Sequence, residues 1–315
     1  MSVSVLVTGG SGFVGTWVLR SLLNRGISAV ALDAFENTDR WQRLLGARTG
    51  EIPFIRGSLI DRELLSKVFA EHAVTHVIHL AALLTPACQQ DPYAGCEVNV
   101  LGSVALFEQA VTSKVQGLSY ASSLAVFGPE PDSAYGANAL LENRSPSFYG
   151  TFKKAVELIA EQYWLHRSLS SVGIRPHVVY GPERDQGLTA GPSLAAKAAA
   201  LGESFQIGYR GTVGYDYVED VAEAFVRTAL ETPAGAVVVD LPSEAATVEE
   251  LVQAIDAVVP GAQARITIAG PTLPRNDSPR DRVISEILLD WKPTSIADGI
   301  RRTMDFYKQD QGSSP

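Results

Sequence analysis

Short apolar runs alternate with longer amphipathic stretches through the first two thirds of the chain. The runs are typical of buried strands, and they cover residues 3–7, 29–32, 52–55, 76–81, 117–121 and 173–179. Parallel strands buried on both faces are nearly continuous apolar runs, and a helix between two of them returns the chain for the next strand. The pattern predicts an α/β fold of the Rossmann type, a doubly wound parallel sheet with helices on both faces.

The alternation loosens after residue 181, where a loop-like stretch at 184–192 and scattered prolines follow. Such a change of pattern predicts a smaller C-terminal lobe that binds the substrate. We expect a cofactor-binding domain at 1–181, to which 212–241 returns, with 236–240 as a further strand. The predicted substrate-binding lobe comprises 182–211 and 242–308, and a disordered tail is expected at 309–315.

A glycine-rich turn directly follows the first predicted strand. It occupies residues 8–15 (Thr-Gly-Gly-Ser-Gly-Phe-Val-Gly), a helix is predicted at 12–24, and Asp33 ends the second apolar run. Glycines let the backbone approach a pyrophosphate, and the helix N-terminus offers N–H groups to it. An acid at this distance accepts hydrogen bonds from the adenosine ribose and disfavours a 2′-phosphate, which predicts NAD. NADP stays an alternative cofactor, because Arg40 and Arg43 lie close enough in sequence to supply the cation that its 2′-phosphate needs. The predicted cofactor ligands in this region are Gly9, Gly12, Phe13, Val14, Gly15 and Asp33.

Composition narrows the classes of partner. The 315 residues are 46% hydrophobic and carry a net charge of −9, which argues against nucleic acid and anionic membranes. The first strand begins too early for a signal peptide, no stretch is long enough for a membrane span, and two cysteines make no disulfide framework, so we expect a cytoplasmic protein. His72, His76 and His79 lie in or near a strand without a fourth ligand, and we predict no metal site.

Tyr149 and Lys153 open a helix predicted to run to about residue 166. Residues four apart share a helix face, so the lysine ammonium can lie beside the phenol and the nicotinamide ribose. A nearby cation stabilises a phenolate. We therefore expect Tyr149 to accept the proton of a substrate hydroxyl.

The strand predicted at 117–121 is followed directly by Ser122 and Ser123, at the sheet edge where ligands of open α/β sheets bind. With these motifs the chain resembles the extended short-chain dehydrogenase/reductases of the NAD-dependent epimerase/dehydratase family over nearly its whole length. Further matching motifs are His79-Leu80-Ala81-Ala82, Asn99 with Gly102, Phe127-Gly128, Arg175-Pro176, Tyr180-Gly181-Pro182 and the run at 216–221.

The resemblance implies roles for residues that spacing alone does not assign. Ser123 corresponds to the catalytic hydroxyl, beside Tyr149 as acid/base and Lys153 as its partner. Further cofactor contacts are implied at Ser58, Leu59, Ala81, Ala82 and Asn99. The resemblance also implies a homodimer through the helices at 104–111 and 154–165.

Departures from the family pattern bear on the reaction. Leu124 and Ala125 replace the Asp-Glu pair of the 4,6-dehydratases, which argues against dehydration. His177 and Tyr215 stand where related nucleotide-sugar epimerases carry an asparagine and an arginine, which argues against a pyrophosphate-bearing substrate, whereas Arg275 resembles a phosphate-binding arginine.

The leading prediction is an NAD-dependent dehydrogenase that transfers a hydride from a carbinol carbon of a small sugar-derived substrate. Acidic sugar derivatives are among the candidate substrates. The alternative is a nucleotide-sugar epimerase with tightly bound NAD, and the intact catalytic set argues against a non-catalytic NAD sensor. The predicted substrate contacts are Ser122, Ser123, His177, Arg184, Thr189 and Arg275.

Overall fold

The computed structural model describes residues 2–127, 145, 147–273 and 282–312. The strands are β1 Ser4–Thr8, β2 Ser28–Asp33, β3 Phe54–Arg56, β4 His76–His79, β5 Gly117–Ala121, β6 Ser171–Arg175, β7 Val178–Tyr180, β8 Phe205–Ile207, β9 Thr212–Tyr217, β10 Ala236–Asp240, β11 Glu244–Thr247 and β12 Ile266–Ile268. The α-helices are α1 Phe13–Asn24, α2 Thr38–Leu45, α3 Arg62–Glu71, α4 Thr85–Gln90, α5 Pro92–Cys96, α6 Gly102–Thr112, α7 Phe148–Arg167, α8 Gly191–Leu201, α9 Val218–Leu230, α10 Val248–Val258 and α11 Ile296–Gly312. Short 3₁₀ helices include Gly46–Glu51 and Leu124–Val126, and a π-helical turn, Glu97–Leu101, leads into α6. Among the described residues, no helix has both the length and the apolar character needed to cross a bilayer.

The described chain divides into two compact units. The first unit contains the residues up to 127, 147–175 and 221–240, and the second contains 176–220 and the described residues beyond 240.

A parallel sheet forms the centre of the first unit. Its described strands, seven in number, follow the order β10-β6-β5-β4-β1-β2-β3. β1 lies between β2 and β4, with Thr8 opposite both Leu32 and His79, so the strand order reverses at β1. Such a reversal opens a crevice at the carboxyl ends of the strands. The predicted Rossmann-type fold is confirmed.

The core of the first unit combines side chains from the sheet with side chains from the flanking helices. Its fully buried members include Leu6, Val77, Leu106, Phe107 and Leu118. Burying a side chain of this size stabilises the fold by about 1.5–3 kcal/mol each. The packed core therefore holds the carboxyl ends of the strands in fixed positions.

The second unit contains two small sheets. In its described part, β9 lies between an antiparallel neighbour, β11, and a parallel one, β7, while β8 pairs with β12. The sequence predicts that segment 212–241 returns to the main sheet. In the structure β10 does so and pairs with β6, but β9 belongs to the second unit.

Two further local expectations differ from the structure. The apolar run at 173–179 forms two strands in different sheets, because Pro176 between β6 and β7 has no N–H for a ladder. The tail expected to be disordered from residue 309 is helical as far as Gly312, since α11 extends that far. Residues 313–315 lie outside the described residues.

Candidate active site

The glycine-rich turn joins β1 to α1 so closely that side chains are excluded. Gly9 has a φ of +70°, its carbonyl accepts from Gly12 N at 3.0 Å, and a Cβ at Gly15 would lie 2.0 Å from that carbonyl oxygen. A Cβ at Gly9 would lie 2.7 Å from the backbone nitrogen of Ala81. Gly12 is the N-cap of α1 and has no side chain that could accept from the backbone N–H groups of the first turn, and such groups can bind an anion. The predicted cofactor ligands Phe13, Val14 and Gly15 lie in this first turn.

Asp33 ends β2 beside this turn. Its carboxylate accepts from the backbone N–H groups of Ser11, at 3.0 Å, and Phe35, at 3.3 Å. These two bonds orient an acid at the carboxyl end of the strand next to β1, as a ribose acceptor requires. Arg40 is buried and donates to the Ser11 carbonyl at 2.9 Å, whereas Arg43 is exposed.

Ser58 and Leu59 follow β3 and differ in exposure. Ser58 is exposed, but the Leu59 side chain is 4% exposed and belongs to the hydrophobic core. Leu59 therefore offers a cofactor only its backbone. Its apolar side chain packs inward, which the sequence comparison with the family did not reveal.

Asn99 lies in the π-helical turn and braces the loop after β4. Its carboxamide accepts from Leu83 N at 2.7 Å and donates to Leu83 O at 2.9 Å. Asn99 is 2% exposed, and its nitrogen also lies 3.5 Å from the sulfur of Cys88. Asn99 thus holds the loop that carries Ala81 and Ala82, both partly buried, and its predicted cofactor contact stays a prediction.

His79, at the end of β4, is hydrogen-bonded through both ring nitrogens. Ser103 Oγ donates to the Asn99 carbonyl at 2.6 Å, so it accepts from His79 Nε2 at 2.9 Å, and His79 Nδ1 in turn accepts from Thr8 Oγ1 at 2.7 Å. Burial, followed by the charge of Lys153, lowers the pKa of His79 to about 3. A neutral histidine thus connects Thr8, at the start of the glycine-rich turn, to Ser103 in the first turn of α6.

Tyr149 and Lys153 lie one turn apart on α7, as predicted. The Lys153 ammonium is 5.7 Å from the centre of the Tyr149 ring and donates to the Ala121 carbonyl at the end of β5, at 2.6 Å. Burial lowers the pKa of Lys153 to about 8. Ser123 follows two residues after Ala121, and both Ser123 and Tyr149 are partly exposed. The structure therefore brings the strand end and the tyrosine helix together.

Gly150 allows this close approach. Ser147 caps α7 by accepting from Gly150 N at 3.1 Å, and a Cβ at Gly150 would lie 1.9 Å from the Ala125 carbonyl oxygen. Helix α7 and the segment that carries Ser123 are in direct backbone contact here.

Ser122, predicted as a substrate contact, is 3% exposed and points into the protein. Its hydroxyl donates to Glu157 of α7 at 2.5 Å, and Glu157 is paired with Arg175 of β6. The sequence analysis missed Glu157. The signal that could have found it is its position four residues after Lys153, on a face that also buries Val156 and Ala160.

His177 lies in the second unit, where its imidazole is 1% exposed. Ser243 Oγ lies 2.5 Å from His177 Nδ1 and donates to Asp216 at 2.6 Å, and Asp216 also accepts from His177 N at 2.7 Å. Burial raises the pKa of Asp216 to about 7. The structure thus places the His177 ring in an internal polar cluster with Ser243 and Asp216, and its predicted substrate contact stays a prediction.

Arg184 and Thr189, also in the second unit, are brought together. The Arg184 guanidinium donates to Thr189 Oγ1 at 3.0 Å and to the Val179 carbonyl. Arg275, the remaining predicted contact, lies outside the described residues.

Comparison with known proteins adds to this geometry. The model of the NAD dependent epimerase/dehydratase family matches residues 5–240. The chain belongs to this family. Its enzymes depend on NAD, which agrees with the predicted cofactor and enzyme class. The chain's own geometry fits this cofactor, because the tight turn admits no side chain at Gly9 or Gly15, where a Cβ would lie 2.7 Å from Ala81 N and 2.0 Å from the Gly9 carbonyl oxygen.

Several members of the NAD dependent epimerase/dehydratase family are similar over nearly the full chain. The UDP-glucose 4-epimerase of Mycolicibacterium smegmatis is 29% identical, over 96% of this chain and 98% of the relative. That of Neisseria meningitidis serogroup C is 30% identical, over 88% and 85%. The crystal structure of the Thermus thermophilus UDP-glucose 4-epimerase in complex with NAD has a TM-score of 0.79 at 28% identity, covering 99% of this chain and all of that one.

Proposed function

We propose that the protein is a nucleotide-sugar 4-epimerase that retains NAD. The observation that carries the proposal is the pairing of Tyr149 and Lys153 on α7 beside the end of β5, in a chain whose similar full-length relatives are UDP-glucose 4-epimerases. The predicted dehydrogenase has less support, because these relatives favour the alternative that was left open.

The glycine-rich turn and Asp33 would hold the cofactor. The first-turn N–H groups of α1 would bind the pyrophosphate, and Asp33 would accept from the adenosine ribose. The adjoining cleft would be lined by Ser58, the backbone of Leu59, Ala81 and Ala82. NAD, when bound, supplies the acceptor for a hydride from the sugar carbon and the donor that returns it.

Proton transfer would be the task of Tyr149. The phenolate removes the proton of the C4 hydroxyl as the carbon is oxidised, and the phenol returns it after the sugar has turned over. Lys153 holds positive charge near the ring, which stabilises the phenolate. Ser123 would donate a hydrogen bond to the reacting oxygen.

Substrate recognition belongs to the second unit in this proposal. The candidate contacts are Arg184 with Thr189, and Arg275 beyond the described residues, and this unit would act as the substrate-binding lobe.

The proposed homodimer is supported by apolar side chains that are exposed in the region of α6 and α7, namely Leu101, Leu158 and Leu165. Two free cysteines agree with a cytoplasmic location.

The test is to incubate the purified protein with NAD and UDP-glucose, or with other UDP- and dTDP-sugars. We expect the C4 epimer by chromatography, no net NADH, and no deuterium at C4 in heavy water, because the hydride returns from the bound cofactor. Tyr149→Phe should lower kcat by about 10²–10⁴-fold. The matched control, Tyr93→Phe, changes a tyrosine that is 81% exposed and should be fully active. Stoichiometric NADH from a free sugar would instead establish the dehydrogenase.

A further inference from the structure

A buried carboxylate on α7 binds the strand end that carries Ser123. The Glu157 side chain is 3% exposed. It accepts from Ser122 Oγ at 2.5 Å, from Arg175 Nε at 2.6 Å and Nη2 at 2.8 Å, and from Lys154 at 3.0 Å. Burial alone would raise the pKa of Glu157, but the hydrogen bonds and charge of Arg175 outweigh it and lower that pKa. Glu157 is therefore a fixed anion.

Arg175 fixes this anion to the sheet. Its guanidinium lies 4.7 Å from the centre of the Phe127 ring and donates to Asp240 at 3.3 Å. Arg175 ends β6 and Asp240 ends β10, and these strands follow β5 in the order of the sheet. A bidentate pair between planar groups fixes orientation as well as distance. The position of Glu157 is thus set by the carboxyl ends of neighbouring strands.

Three residues at successive turns of α7 face the end of β5. Lys153 donates to the carbonyl of residue 121, and Glu157, four residues on, accepts from residue 122. Tyr149 lies one turn before Lys153, and the next residue along the strand end is Ser123. The register of α7 against residues 121–123 therefore depends on both bonds.

We propose that Glu157 is a positioning residue, which through Ser122 holds Ser123 in register with Tyr149. The inference rests on the proposed roles of Ser123 and Tyr149 in proton transfer. A misplacement of reacting groups by about 1 Å costs about 100-fold in rate, so a hydrogen bond that fixes this register affects turnover beyond its effect on folding.

The discriminating variant is Ser122→Ala, which removes one hydroxyl and leaves the ion pair of Glu157 with Arg175 intact. Its matched control is Ser119→Ala in β5, three residues earlier in the chain. The Ser119 side chain is also buried and donates to a backbone carbonyl, that of Phe225, at 2.9 Å. Both variants lose one buried serine hydrogen bond, but only the first loses a bond to α7.

Two readouts are compared. Hydrogen exchange on the protein without substrate is expected to speed up by about tenfold at residues 123–127 in Ser122→Ala and to stay unchanged there in Ser119→Ala. Steady-state kinetics should show kcat reduced by about 10–100-fold in Ser122→Ala with KM little changed. In a double variant with Glu157→Gln, kcat should be no lower than in Glu157→Gln alone, because both changes break the same link.

Equal exchange at 123–127 in the two serine variants would overturn the proposal, and so would an unchanged kcat in Ser122→Ala. Full activity of Tyr149→Phe would overturn the proposed proton transfer instead. In that case the exchange comparison alone decides whether Glu157 holds the strand end.

Discussion

Replacing Gly150 by alanine tests whether close backbone contact sets the active-site register. A Cβ at this position would lie 1.9 Å from the Ala125 carbonyl oxygen and 2.0 Å from Ser145 Oγ. The serine hydroxyl can rotate away. The carbonyl belongs to the 3₁₀ helix Leu124–Val126, so the backbone itself has to move.

The size of the movement follows from these distances. Carbon and oxygen atoms that are not bonded do not approach within 3.0 Å, so α7 and the segment at Ala125 must separate by roughly 1 Å. Gly150 adjoins Tyr149, and Ala125 is two residues from Ser123. A shift of this size should lower kcat by about 100-fold.

Gly150→Ala should also lower the free energy of unfolding. Overpacking costs about 1–3 kcal/mol, and the better helix propensity of alanine returns at most about 1 kcal/mol. We expect a net loss of about 1–2 kcal/mol in the free energy of unfolding.

The assay is epimer formation from UDP-sugar together with the urea midpoint of unfolding. Gly50→Ala is the matched control, since a Cβ at Gly50 would have no neighbour within 4 Å. That variant should keep full activity and stability. If Gly150→Ala were as active and as stable as the wild type, the contact between α7 and Ala125 would not control the register.

Three further predictions concern the cofactor turn and the second unit. Gly15→Ala should abolish retention of NAD, measured by calorimetry, because its Cβ would lie 2.0 Å from the Gly9 carbonyl oxygen; normal retention would refute the tight-turn argument. Asp33→Ala should weaken NAD binding by about 10–100-fold and NADP binding less, because the charge-assisted bond to the ribose is lost; an equal loss for both cofactors would contradict the ribose assignment. Burial raises the pKa of Asp216 to about 7, so the folded protein keeps a proton that the unfolded chain releases above about pH 4. The free energy of unfolding should therefore fall as pH rises from about 4 to 7, and Asp216→Asn should reduce this slope in urea titrations; an unchanged slope would exclude Asp216 as its source.

The sheet and the cofactor turn were predictable because their signals are local. Apolar runs mark buried strands wherever they occur, and only glycine fits the backbone contacts at Gly9 and Gly15. The break of the run at 173–179 was also visible as Pro176. Its consequence, two strands in different sheets, depends on pairing partners that are distant in sequence.

Glu157 and His177 show what local signals miss. A glutamate on a helix normally lies in solvent, and Glu157 is buried because Arg175, 18 residues away, neutralises it. His177 was predicted to contact substrate, yet its ring lies against Ser243, 66 residues further on. In both cases the environment that decides the role comes from tertiary contacts.

The choice between a dehydrogenase and an epimerase also depends on tertiary contacts that the sequence does not reveal. A dehydrogenase and an epimerase begin with the same proton transfer, so the proposed roles of Ser123, Tyr149 and Lys153 are compatible with both reactions. The dehydrogenase was favoured because His177 and Tyr215 replace polar residues expected to contact phosphate. Both side chains are buried in the second unit, at 1% and 2% exposure, and Tyr215 Oη lies 3.4 Å from another buried tyrosine hydroxyl. Neither buried side chain supplies the phosphate contacts that it replaces, so a nucleotide-sugar substrate requires other side chains to make them, and the proposed epimerase rests on the similarity to UDP-glucose 4-epimerases.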